Sequence, residues 1–172
     1  MTTGKTFAWI FLLHCMTALA GCAATRVVSQ HPLLQPDDKA PHARVYIMRP
    51  GTERTMGVAD NVVDIALDQQ HLMKLAKGQY VLVDLKPGQV TMTVSSMTSW
   101  GPYSRIKEMS RSQAFTFDEG GTYFIVIRPV DGEFRGVYFL PRPVDIITAR
   151  ELSNHLKAVG KAGDEPISQL HG

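Results

Sequence analysis

Residues 89–95 (QVTMTVS) alternate without a break: Val90, Met92 and Val94 fall on one side, Thr91, Thr93 and Ser95 on the other. A two-residue period is the repeat of a half-buried β-strand and fits no helix. From Arg44 onward the chain is a succession of such short segments between turn signals. Residues 44–49 (RVYIMR) stop at Pro50-Gly51, and 62–67 (VVDIAL) turn at Asp68-Gln69-Gln70 into 71–75. Residues 80–85 (YVLVDL) run into Lys86-Pro87-Gly88, where proline presets one dihedral and glycine supplies another. A short strand at 114–117 is followed by the turn Asp118-Glu119-Gly120-Gly121. Residues 123–128 (YFIVIR) are apolar on both faces, which predicts a strand in the middle of a sheet. Asp131-Gly132 is a hairpin-type turn, and 134–140 (FRGVYFL) form the last predicted strand. Residues 96–113 hold no period and are expected to form a long loop.

About seven or eight short strands with turns at regular spacing predict a mainly β fold, an antiparallel β-sandwich or small barrel. No helical segment separates the strands, which argues against parallel βαβ architecture. One amphipathic helix is expected at the C-terminal side. Thr148 and Glu151 have capping-box spacing, Leu152, Leu156 and Val159 follow, and Gly160 suits the stop. Residues 161–172 are polar and read as a disordered tail.

The N-terminus has a different character. Lys5 precedes an apolar run, FAWIFLL, at 7–13, which His14, Thr17 and Gly21 then weaken. The run is shorter than the roughly 20 apolar residues of a membrane span and has the form of a secretory signal. Leu19-Ala20-Gly21-Cys22 resembles the bacterial lipobox. That resemblance implies cleavage between Gly21 and Cys22, a thioether-linked diacylglyceryl group on Cys22 and a further acyl chain, such as palmitate, on its amine. Two or three chains hold a protein stably at a bilayer where one holds it marginally. The cysteine count agrees: Cys15 lies in the signal, so the mature chain would keep Cys22 alone, with no internal disulfide. Ala23 rather than an aspartate follows the cysteine, which implies the outer membrane, facing the periplasm. Residues 22–43, with Pro32, Pro36 and Pro41, read as the lipidated cysteine and a flexible tether spanning roughly 25 Å as a coil and about 70 Å stretched. The domain proper is then 44–160.

Four pieces resemble a known family: residues 43–50 (ARVYIMRP), Gly78-Gln79-Tyr80, Lys86-Pro87-Gly88 with its Thr-rich strand, and Gly120-Gly121-Thr122-Tyr123-Phe124. Their order, over about residues 41–160, is similar to the bacterial lipoprotein family labelled domain of unknown function 2846. The resemblance implies an immunoglobulin-like or transthyretin-like β-sandwich in the cell envelope. It brings no activity and no functional residues, and the stretch after Ser95 departs from its pattern.

Chemistry is sparse. The formal charge of +2, with no Lys/Arg-rich run, gives no footing for nucleic acid. His31, His42, His71, His155 and His171 show no metal-ligand spacing, and neither a nucleophile elbow nor a Cys–His pair occurs. No metal, cofactor or catalytic residue is therefore expected. Asp64 and Asp68 share a strand face by spacing but read as a solvated face and a turn. The segment 99–111 (SWGPYSRIKEMSR) combines aromatics with cations: Trp100, Tyr103, Arg105 and Lys107 form a candidate binding loop. The expected function is a non-enzymatic, membrane-anchored envelope lipoprotein that binds or scaffolds another envelope component. A glycan or small-ligand binder is the alternative, and an enzyme ranks behind both.

Overall fold

The computed structural model describes residues 25–51, 62–100, 105–131 and 137–170. The strands, in chain order, are β1 (Ala43–Arg49), β2 (Val62–Leu67), β3 (Gln70–Ala76), β4 (Gln79–Leu85), β5 (Gly88–Trp100), β6 (Arg105–Phe117), β7 (Thr122–Asp131), β8 (Val137–Val144) and β9 (Lys157–Val159). One helix, α1 (Ile146–Ser153), lies between β8 and β9. The strands make two sheets, β8-β7-β1-β4-β9 and β3-β2-β5-β6, in an open, sandwich-like arrangement.

The expectation of a purely antiparallel fold is corrected. The four-stranded sheet is antiparallel, but in the five-stranded one β1 runs parallel to β7 and β4 parallel to β9. Between β1 and β7 the chain builds the whole of the other sheet and returns once, at β4, so no local pattern records the β1–β7 pairing.

The continuous apolar runs follow from burial on both faces. Val45, Ile47, Val81, Val83, Leu85 and Ile125 meet Ile65, Leu72, Leu75, Met92 and Val94 between the sheets. The alternate residues Tyr46, Met48, Tyr80, Leu82 and Val126 pack against the C-terminal segment through Ala149, Ala162 and Ile167. The C-terminal stretch is therefore no disordered tail. Two short 3-10 turns, Gly160–Gly163 and Ile167–Gln169, bury Ala162 and Ile167 completely.

The N-terminal tether is corrected likewise. Val28 N donates to Leu72 O at 2.8 Å, Gln35 N to Asp84 O at 2.9 Å, and Lys86 N to Leu33 O at 2.9 Å, while Leu34 bridges Leu85. Thr25 Oγ1 donates to Gln79 Oε1. His31 is 5% exposed; its Nδ1 accepts from Leu33 N and its Nε2 faces Gln70 O, both at 3.2 Å. These contacts make residues 25–42 a strap across the open side between β3 and β4.

The predicted loop 96–113 is also corrected: β5 and β6 continue through it as a hairpin paired from Gly88↔Phe117 to Trp100↔Arg105. It has no hydrophobic period because Ser96 and Thr98 occupy buried inward positions while Met97 and Ile106 are exposed. The helix begins two residues ahead of Thr148, capped by Asp145, whose Oδ1 accepts from Thr148 N at 2.8 Å. It ends at Ser153, so Leu156 and Val159 belong to the return into β9.

Two-residue turns fix the ends of the sandwich. Lys77-Gly78 joins β3 to β4 at one end; Lys86-Pro87 joins β4 to β5 at the other. The first end, the tip end, also carries the close of the β5–β6 hairpin, the β7–β8 connection and the start of β9.

Candidate functional site

Where the edge strand β6 parts from β7 and β8, a cleft of about 560 Å³ opens, walled by Phe115, Phe117, Tyr123, Pro143, Ile146 and Leu170. The two-residue period of β6 puts Phe115 and Phe117 on its inward face. Their rings stack at 6.0 Å, and Tyr123 meets Phe117 edge-on at 5.0 Å. Tyr123 is held in place by the turn before it: its hydroxyl accepts from Asp118 N at 2.7 Å and donates to Asp118 Oδ2 at 3.2 Å. A Cβ on Gly121 would sit 2.6 Å from that ring, so only glycine lets the turn close under Tyr123. Thr116, Thr122 and Asp145 supply the polar rim. The backbone N–H of Thr148 holds the Asp145 carboxyl below the usual carboxylate range, so it is an ionised helix cap, not a proton donor.

A second cluster lies at the strap side. Asp84, 8% exposed on β4, takes Lys161 Nζ at 2.5 Å on Oδ2. Arg44 Nε at 4.0 Å and His42 Nε2 at 3.9 Å flank Oδ1 as neighbours beyond hydrogen-bond range. Lys161 also reaches Asp38 at 3.2 Å and Glu165 at 3.6 Å, and Arg44 reaches Glu165 at 2.8 Å. Burial alone would lower the Lys161 pKa, but the hydrogen bonds it donates to Asp84 and Asp38 hold it above the usual lysine value. The carboxylates and cations of this network pair with one another, and it clamps the strap and the C-terminal segment to β1 and β4.

Of the residues singled out in the sequence, Gly21, Cys22 and Tyr103 lie outside the described residues. Trp100 pairs with Arg105 where the β5–β6 hairpin closes, and Thr98 pairs with Lys107. Arg105 and Lys107 are exposed, on strand rather than loop. Arg111 continues the same side of β6, with its guanidinium 4.3 Å from the centre of the Tyr138 ring. Inward-pointing cations on an edge strand also oppose unwanted sheet extension. Asp64 and His71 meet at 2.8 Å, but both side chains are exposed to water, at 39% and 46%. Asp68 turns away from Asp64 to accept from Thr91 N at 2.8 Å. Among the described residues no three His, Cys, Asp or Glu side chains converge as a metal site.

Sequence reasoning missed the cleft and the clamp. The cleft's trace was present in Phe115-x-Phe117 and Gly121-x-Tyr123; the clamp joins residues far apart in the chain and left none. Compared with known proteins, the chain matches no family model, no curated protein and no solved structure.

Proposed function

We propose that the chain is a lipid-anchored protein of the bacterial envelope, held at the outer membrane through Cys22, which binds a partner polypeptide without transforming it. The observation that carries the binding role is the cleft itself. An aromatic-walled opening sits at the end of β6, a thirteen-residue strand at the edge of its sheet. An extended segment of a partner can add to the Gln113–Phe117 end of that edge, past the cations at Arg105, Lys107 and Arg111, through main-chain hydrogen bonds and seat an apolar side chain in the adjoining pocket. The lipobox and the order of the four family-like pieces support the envelope setting. We read the sandwich as an immunoglobulin-like or transthyretin-like variant with one mixed sheet.

A photo-crosslinking residue at Phe115 should capture one polypeptide in cells, whereas the same residue at Thr93, on the opposite sheet face, should not. Phe115→Ala should weaken that capture about ten-fold, with little change in melting temperature because Phe115 is only half-buried. Equal capture from both positions would sink the assignment. The cleft volume also suits a small apolar ligand. A low-mass adduct on the Phe115 probe, with no polypeptide, would favour that second reading.

A further inference from the structure

We infer that the tip end of the sandwich lies against the membrane surface, so that the domain docks on the bilayer rather than standing off it. The inference rests on the anchor reading of Cys22. Between Cys22 and Thr25 there are only Ala23 and Ala24, a reach of about 11 Å at full stretch. Thr25 is fixed to Gln79, the first residue of β4 at the tip end. Most of the tether read from the sequence is used up as the strap, so lipid on Cys22 would hold this end within about 11 Å of the lipid.

The same end has the surface such a position needs. Asp64 lies opposite Ser95, and β5 runs on to Trp100. The hairpin therefore overhangs Val62, the tip-end start of β2, by three residues, or about 10 Å. Among the described residues the hairpin and the β7–β8 pair, which runs on to Asp131 beyond Met48↔Val126, are the parts that project at this end. Three exposed large apolar side chains gather there: Ile106 at 59%, Met97 at 45% and Val62 at 39%. Among the described residues the charges at this end are mainly basic, with Arg26, Lys77, Arg105, Lys107 and Lys157 against Glu108 and Asp131. The connections at the opposite end carry Asp37, Asp38, Asp68, Asp118, Glu119 and Asp145, with Lys39 and Lys86 as cations. An apolar, basic tip and an acidic far end orient the domain tip-down on an anionic lipid surface. Trp100, at the close of the hairpin, is a residue type that favours the headgroup region.

Trp9 precedes the cleavage point, so the mature chain carries Trp100 as its only tryptophan. The lipidated mature chain, purified from membranes, is reconstituted into phosphatidylethanolamine vesicles containing a quarter phosphatidylglycerol. Brominated acyl chains should reduce Trp100 emission about two-fold, and iodide should lose access to it. Ile106→Glu combined with Arg105→Glu should restore iodide access while the protein still floats with the vesicles. Flotation with Trp100 open to iodide and untouched by bromine would overturn the docking and leave the anchor standing. Shielding from iodide without quenching by bromine would also overturn it, because a second copy or another protein would then cover this end. A wild-type chain that fails to float, or a Cys22→Ser chain that floats equally well, would overturn the anchor and with it this inference.

Discussion

Phe117→Ala is expected to destabilise the domain by about 4 kcal/mol and lower its melting temperature by roughly 12 °C. Phe117 is 1% exposed, at the last position of β6, paired with Gly88 across the hairpin. Truncation removes the ring between Phe115 and Tyr123, and the two sheets cannot close over the space because short turns fix both ends. Phe115→Ala, at a half-buried position on the same face, should cost well under half as much. Chemical denaturation of the two variants checks the order. Equal losses would mean that the cleft is simply core and has no room for a ligand, which would remove the basis of the binding proposal.

Lys161→Met should cost about 2 kcal/mol. The variant leaves the buried Asp84 carboxylate without its one close cation. The loss stays below that of a fully buried pair because the Lys161 side chain is 32% exposed and Arg44 remains 4.0 Å away. Its pH dependence has a definite sign. The folded state raises the Lys161 pKa above the usual 10.5, so the pair's contribution is complete through neutral pH. It decays as pH climbs past 10.5 through the raised value, and the gap between wild type and Lys161→Met should narrow over that window. Amide exchange supplies a local check: protection at Ala162 and Ile167 should fall first, because Lys161 fastens the segment that buries them. Unchanged exchange there would mean that the apolar contacts of Ala162 and Ile167 hold the segment without the clamp.

The strands that sequence revealed are those whose burial writes a local pattern. QVTMTVS alternates because one face of β5 is buried there and the other is wet. Residues 123–127 (YFIVI) are apolar throughout because Ile125 and Ile127 pack into one core cluster while Phe124 and Val126 pack into the other. The rest of β5 and the start of β6 escaped notice because polar Ser96 and Thr98 stand on the buried face while apolar Met97 and Ile106 stand on the exposed one, which erases the contrast. The strap escaped because its fastenings are backbone hydrogen bonds at irregular intervals, and proline-rich composition resembles a free linker. The helix start was misplaced because Thr148 offers capping-box spacing while Asp145, three residues earlier, caps in fact. The mixed sheet and the Asp84–Lys161 contact join positions that no window along the chain contains. For the candidate sites, the aromatic pairs behind the cleft were readable, but their convergence was not. The Trp100 segment shows its aromatics and cations in composition, whereas its register beside Arg105 exists only in the fold.

Anchoring at Cys22 is the claim on which the envelope setting and the membrane-facing tip both depend. It is tested most directly by the mass of the N-terminal peptide of the membrane-fraction protein, with Cys22→Ser alongside. The account predicts a peptide that begins at Cys22 with diacylglyceryl and acyl chains attached, and a variant that loses them and leaves the membrane. An unmodified Cys22, or a peptide that still begins at Met1, would contradict it.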